Sequence, residues 1–224
     1  MLYVNTKSIY RCWSLNGGSD SGAVANNTKE KDLNLSIALA CRDYLKKHVE
    51  VKLSRTNDEQ DTLTEEIQEC NLFAPDLAID IHNNAGGGDG AEVFYHYGGG
   101  TSKTLAENIL AEIVKVGQNS RGAKIRKNKD GKDYYGFIRN TKAPSVIVEC
   151  AFIDNQKDIE IIDTEAERKA MGIAIAKGIL KTLGIESESK ELYRVQFGAY
   201  SDKSNAEAML KKIKSAGFDA FITK

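Results

Sequence analysis

Two short runs, LAIDIH at residues 77–82 and SVIVE at residues 145–149, most constrain what this chain can fold into. Each is apolar almost throughout and ends on a side chain that titrates, His82 or Glu149. Apolar runs of this length, bounded by polar residues, read as strands buried on both faces, which belong in parallel sheets covered by helices. Between and around them lie segments of helical period. EKDLNLSIALACRDYLKKH sets Leu33, Ile37, Ala40, Cys41, Tyr44 and Leu45 on one face; TLTEEIQECNLF, SKTLAENILAEIVKVG and EAERKAMGIAIAKGILKTLG follow, the last closing at Gly184. VEVKLSRT and GAEVFYHY read as further strands. The alternation predicts an α/β fold with an open, largely parallel twisted sheet and helices on both faces. Ligands of such sheets bind beyond the carboxyl ends of the strands, where His82 and Glu149 are expected to emerge together.

After Gly184 the pattern changes. IESESKE has no period and suits a linker, and residues 192–224 read as strand, Ser-capped helix, glycine turn and strand. The expected organisation is a main domain over residues 1–185, a linker over 186–191 and a small βαβ piece over 192–224. That piece is too short to bury a core of its own.

Composition narrows the function. A chain of 224 residues, 41% hydrophobic and 28% charged, can build one substantial core. With 31 basic and 32 acidic residues the formal net charge is -1, so no global field draws it to nucleic acid or to an anionic membrane, and neither is expected as a partner. Runs such as PSVIVECAFI are far short of a membrane span, and MLYVNTKSIYRCW has no apolar stretch of signal-peptide type. The chain is therefore expected to be made in the cytoplasm. Its four cysteines lack CxxC spacing and read as buried free thiols. Nothing in the sequence sets an oligomeric state.

Three residues carry candidate chemistry. His82 at a strand end has an ordinary reading as a hydrogen-bonded structural residue. Glu149, after four residues of strand, is harder to dismiss, because a buried carboxylate costs several kcal/mol unless a cation or strong donor compensates it. Glu30 opens a helix, where a first-turn carboxylate is favoured by the dipole alone. Taken together, and preceded by the glycine-rich NGGSDSGA, they fit a zinc site with mixed His/Glu ligands and a separate general base.

NGGSDSGAV, KEKDLN, IDIHNNA and VECAFIDN, in that order, resemble the zinc-dependent N-acetylmuramoyl-L-alanine amidases that cut peptidoglycan. The resemblance covers residues 7–184. It implies that Glu30 and His82 are zinc ligands and Glu149 is the catalytic acid/base, with Zn2+ as cofactor and peptidoglycan as partner. The family's first ligand is a His in Asp-x-Gly-His-Gly-Gly, and Asn16 stands there in this chain; Asp80 stands where the family has Ser. His48 and His96 match no ligand position and read as structural. YRVQFGAYSDKSNAEAMLKKIKSAGFDAFI is similar to about half of a SPOR domain, which implies wall binding. The implied function is hydrolysis of the amide between N-acetylmuramic acid and L-alanine at the cell wall, possible for a chain without a leader only once the membrane is breached, as for an endolysin or late autolysin. The alternative is a catalytically impaired wall-binding protein, because an amide oxygen is a poor replacement for imidazole at zinc. A zinc peptidase on a related fold is a third reading.

The segment before NGGSDSGA has no evident plan, and a shift of reading frame is offered as the hypothesis that would account for it. With permitted codons, residues 6–14 read one nucleotide later give Gln-Lys-Val-Tyr-Ile-Asp-Ala-Gly-His, the strand and metal motif the resemblance implies. The coding DNA is expected to contain that shifted string. Codons incompatible with Asp-Ala-Gly-His in the shifted frame would end this explanation.

Overall fold

The computed structural model describes residues 17–59, 62–186, 198–218 and 220–222, together with the backbone of residues 8–13. The chain divides into two compact units, Met1–Ser187 and Glu188–Lys224.

The first unit is built on a six-stranded sheet. Its strands are β1 (Ser8–Trp13), β4 (Glu50–Lys52), β5 (Leu77–Asn84), β6 (Ala91–Tyr95), β7 (Ser120–Lys124) and β8 (Ser145–Phe152), in the order β4-β1-β5-β8-β6-β7. β4, β1, β5 and β8 are parallel, β6 is antiparallel to β8, and β7 is parallel to β6. This is the expected largely parallel α/β architecture. β2 (Val24–Ala25) and β3 (Thr28–Lys29) form a separate short hairpin that turns on Asn26 and Asn27, both at positive φ.

Side-chain alternation along β5 divides the core. Leu77, Ile79 and Ile81 point into a large cluster with Val146 and Val148, covered by α1 (Glu30–Leu45), α3 (Thr101–Lys115) and α6 (Glu165–Thr182). Ala78 points to the other face, into a smaller cluster with Ile67, Phe94, Phe137 and Ile147, under α2 (Leu63–Phe73) and α4 (Gly136–Asn140). A period of two therefore sends Asp80 and His82 to that second face as well. The short α5 (Gln156–Ile159) follows β8 and turns the chain back towards α6.

Several sequence expectations need correction. The segment without evident plan forms β1, a strand hydrogen-bonded on both sides, with a register slip between Tyr10 and Cys12 against β5. A slot between two parallel strands supplies the ladder that its side-chain pattern does not advertise. VEVKLSRT contributes only the three residues of β4, because buried Arg55 leaves the sheet to hydrogen-bond the carbonyls of Lys31 and Asn57. Strand β7 and helix α4 had no place in the sequence reading: SRGAK is a polar edge strand, and GFIRN is barely one helical turn. Cys41, Cys70 and Cys150 are buried free thiols, as expected.

In the second unit α7 (Lys203–Ser215) is capped by Asp202, whose carboxylate accepts from the Ser204 N–H, rather than by a Ser. The expected strand before it lies outside the described residues. Residues 220–222 form no strand, since no partner for one stands among the described residues. Among the described residues no helix is long and apolar enough to cross a membrane.

From Met171 to Leu180 α6 is almost wholly apolar because it is wedged between α1 and α3, and two glycines allow the approach. A Cβ on Gly172 would stand 2.6 Å from the Ile37 carbonyl oxygen of α1, and one on Gly178 would stand 2.5 Å from Cα of Ile109 in α3. Neither backbone can rotate aside. Gly172→Val is expected to destabilise the chain by about 1–3 kcal/mol through overpacking, read as a lower urea midpoint with unchanged slope.

Candidate active site

His82 and Glu149 are direct register partners on β5 and β8, both at the carboxyl ends of parallel strands. Their side chains share one face of the sheet and line a cleft of about 450 Å³, with Glu30, Asp80, Asn84, Tyr135 and Phe137 around them. The three residues singled out from the sequence are thus brought together from three distant segments.

Glu30 reaches this cleft from the first turn of α1. The preceding glycine-rich loop fixes it: Ala23 N–H donates to Glu30 Oε2 at 3.0 Å, and Glu30 N–H returns a bond to the Ala23 carbonyl at 2.9 Å. Lys31 in turn holds the loop, donating to the Gly18 carbonyl at 2.9 Å and to Asp58 Oδ2 at 2.7 Å. Behind Glu30, Asn34 donates to Oε1 at 3.1 Å and accepts from Asn83 Nδ2 at 2.7 Å. Asn34 is fully buried and was missed as a site residue. Its signal was a polar side chain on the apolar stripe of the helix, four residues after Glu30.

The imidazole of His82 is held at both nitrogens. Nδ1 lies 2.9 Å from Glu30 Oε1, and Nε2 lies 3.0 Å from Asp80 Oδ1. Glu92 stands opposite Glu149 on its other side, on β6. Arg121 Nε and Lys124 Nζ pair with Glu92 Oε2, and Asn84 Nδ2 donates to its Oε1. His96 is elsewhere, paired with Asp133 at 3.2 Å, and His48 packs near Tyr44. Asn16 lies outside the described residues.

These surroundings separate the carboxyl groups. Burial pushes Glu149 up to about 7, helped by the negative charges of Glu30, Asp80 and Glu92, while His82 pulls the other way. Burial also raises Glu30 and Glu92, but their partners outweigh it: His82, the Ala23 amide and Asn34 for Glu30, Lys124 and Arg121 for Glu92. Both end below the ordinary carboxylate value. Burial alone would lower His82, yet Asp80 and Glu30 overcome it and raise it well above its usual range. One neutralisable carboxyl beside several ionised ones is an arrangement suited to general acid/base work.

A His nitrogen and a Glu oxygen converge to 2.9 Å, and Glu149 Oε2 and both Asp80 oxygens lack a hydrogen-bond partner, so the cavity carries uncompensated negative character that a dication offsets. The donor types fit zinc. Among the described residues no group of three or more His, Cys, Asp or Glu could hold a metal ion.

The sequence profile described as N-acetylmuramoyl-L-alanine amidase matches residues 16–181. The chain belongs to the N-acetylmuramoyl-L-alanine amidase family. This family is generally zinc-dependent and acts on peptidoglycan. The chain is 34% identical over 211 residues to the N-acetylmuramoyl-L-alanine amidase CwlM of Bacillus licheniformis, covering 92% of this chain and 81% of that one. It is 31% identical to the sporulation-specific N-acetylmuramoyl-L-alanine amidase of Bacillus subtilis, covering 92% and 80%. Among solved structures, the catalytic domain of the amidase CwlV from Bacillus (Paenibacillus) polymyxa var. colistinus superposes with a TM-score of 0.71 at 26% identity, over 80% of this chain and 99% of that one. Cwp6 from Clostridium difficile superposes at 0.76 with 38% identity over 79% of this chain, which spans only 29% of its length. A SPOR domain profile matches residues 166–224. The start of that match falls in α6, whose Met171, Ile175 and Ile179 are fully buried in the first unit's core.

The charge pattern sets a pH dependence for the metal-free protein. Glu149 titrates near 7 when folded and near 4.5 when unfolded, so its ionisation opposes folding increasingly as pH rises between these values. His82, raised when folded, contributes stability that is full below 6.5 and lost as pH rises through its folded value. Both effects have the same sign. The melting temperature of chelator-treated protein is expected to fall from pH 5 to pH 8, and Glu149→Gln should flatten that slope.

Proposed function

We propose that the chain hydrolyses the amide between the lactyl group of N-acetylmuramic acid and L-alanine in peptidoglycan, with Glu30 and His82 holding a zinc ion and Glu149 as general acid/base. The observation that carries this reading is the register pairing of His82 with Glu149 at the carboxyl edge, with Glu30 brought to the same imidazole from α1. Zinc, when bound, supplies Lewis-acid polarisation of the carbonyl and lowers the pKa of water.

The chain's own residues supply the rest. Asn34 and the Ala23 amide orient the Glu30 carboxylate. Glu149, which lines the cleft, takes the proton from the attacking water and delivers it to the leaving amine of L-alanine. Its elevated value in the metal-free cleft marks a group that can both accept and donate near neutrality. Glu92, tied to Arg121 and Lys124, keeps its charge and takes no part in proton transfer. Tyr135 and Phe137 form the apolar wall against which substrate lies. Residues 192–224, within the stretch that matches the SPOR profile, are assigned to glycan binding, which would hold the amidase unit on the wall.

A second reading, an impaired wall-binding protein, is favoured by one observation: the two-ligand site among the described residues, with Asn16 at the family's first ligand position. Zinc content of the purified chain and release of new amino termini from purified cell wall separate the two. The amidase binds near-stoichiometric zinc and loses activity to chelator; the binding protein sediments with wall and releases nothing.

Glu149→Gln is expected to retain fold and zinc while losing about a hundredfold to ten-thousandfold in rate. A rate within a few-fold of the parent refutes the role of Glu149. His82→Ala should lose zinc, and unchanged zinc stoichiometry refutes its assignment as a ligand.

A further inference from the structure

Charge is distributed unevenly around the cleft. Among the described residues its lining carries no lysine or arginine, but beyond Glu149 the sheet continues to β6 and β7, and there cations gather. Glu92, the register partner of Glu149 on β6, shares its face of the sheet and is bonded by Arg121 Nε at 2.9 Å and by Lys124 Nζ, both from β7. Arg126, two residues past the end of that strand, donates to the Tyr135 hydroxyl at 3.3 Å, and Tyr135 lines the cleft. One carboxylate thus meets two cations with a third nearby, which leaves a surplus of positive charge on this side. At the other end, the Gly22 and Ala23 amides face the carboxylates of Asp20 and Glu30, and Lys31 is tied to Gly18 and Asp58.

Arg121 does more than neutralise Glu92. Its guanidinium lies over the ring of Phe152, at the end of β8, 4.9 Å from the ring centroid. Phe152 is itself held closely, since a Cβ on Gly88 would stand 2.2 Å from the ring. Nη1 and Nη2 of Arg121 make no hydrogen bond among the described residues, and the side chain is 36% exposed. A guanidinium fixed at Nε and over one face, with its terminal fork open, has the geometry that takes a planar carboxylate through two N–H groups. Lys124 supplies a second cation to Glu92, so the charge of the fork is not cancelled.

The distance suits a peptide. β7 lies two strand spacings from β8, about 10 Å. An extended chain covers about 3.5 Å per residue, so a stem peptide whose scissile amide sits at Glu149 and which crosses β6 brings its second residue within reach of the Arg121 side chain. In a muramyl peptide the lactyl carboxyl is consumed in the amide, and the sugar side is uncharged. The second residue of the stem, a γ-linked glutamate, keeps a free α-carboxylate. Charge complementarity therefore sends the peptide, not the glycan, towards β7. We propose that Arg121, held by Glu92 and backed by Lys124, is a specificity-determining residue that binds the free carboxylate on the second residue of the stem peptide. The proposal rests on the amidase reading above and adds to it the direction of the peptide and the group recognised.

The full chain carrying Glu149→Gln, with zinc supplied, tests this because it binds substrate without cutting it. Calorimetric titration compares two N-acetylmuramyl dipeptides, one whose second residue bears the free α-carboxylate and one in which that group is a carboxamide. The carboxylate form is expected to bind about 5–20-fold more tightly at low salt, with the preference shrinking as salt is raised. Adding Arg121→Gln should lower the affinity of the carboxylate form to that of the carboxamide form; a general distortion of the cleft would weaken both. Equal affinities with Arg121 in place overturn the proposal and leave the amidase reading intact, whereas binding of neither dipeptide overturns both. A preference that survives Arg121→Gln also overturns the proposal. Should Arg121→Gln not fold, Arg121→Lys keeps a cation beside Glu92 but lacks the fork; it is expected to lose most of the preference, and full retention overturns the assignment.

Discussion

Negative charge gathered at the ends of the two central parallel strands is the constraint that the rest of this structure answers. The pairing of β5 with β8 puts His82 beside Glu149, and the antiparallel β6 adds Glu92 on the far side of Glu149. Asp80 comes with His82 by strand alternation, and Glu30 arrives from the first turn of α1. Three carboxyl groups, Glu30, Asp80 and Glu149, thus flank one imidazole where water has little access, Glu92 stands beyond Glu149, and each of the four is stabilised differently. Two cations from β7 keep Glu92 ionised. Amide donors and the positive end of α1 hold Glu30 as a carboxylate. Asp80 has only the His82 ring, and Glu149 is left as the group that retains its proton near neutrality. The division of roles follows from where compensating donors exist, not from any difference in the carboxyl groups themselves.

Such a cluster keeps its geometry only on rigid supports. The strands are fixed by the large cluster beneath them, and α6 locks α1 and α3 through backbone approaches that only glycine permits at Gly172 and Gly178. The glycine-rich loop is equally determined. A Cβ at Gly17 would fall 2.0 Å from the Glu59 carbonyl oxygen, and Lys31, Arg55 and Asp58 tie the loop to the start of α1. That loop shapes the site indirectly, by setting the Ala23 amide against Glu30.

Much of this was legible in the sequence because it rests on local patterns. Apolar runs ending at His82 and Glu149 gave the buried strands and their carboxyl-edge residues, and helical periods gave α1, α2, α3 and α6. Elements without a pattern were not legible. β7 is a polar edge strand, α4 is too short for a period, and β1 is a strand because of its neighbours on both sides. Asn34 looked like one polar residue on a helix until its bonds to Glu30 and Asn83 placed it behind the site.

The sequence by itself determined the α/β class, the elements that carry a period or an apolar run and the three chemically suggestive residues, since period and apolar run length are properties of neighbouring positions along the chain. Only the tertiary structure decided that Glu30, His82 and Glu149 meet in one cleft. It alone determined that Asp80 is sealed against the second nitrogen of the His82 ring. Those facts depend on strand register and on helix approach, which bring together residues up to 119 positions apart, from Glu30 to Glu149. Burial then sets which carboxyl group stays charged, and burial is a property of the folded surroundings that no stretch of sequence carries alone.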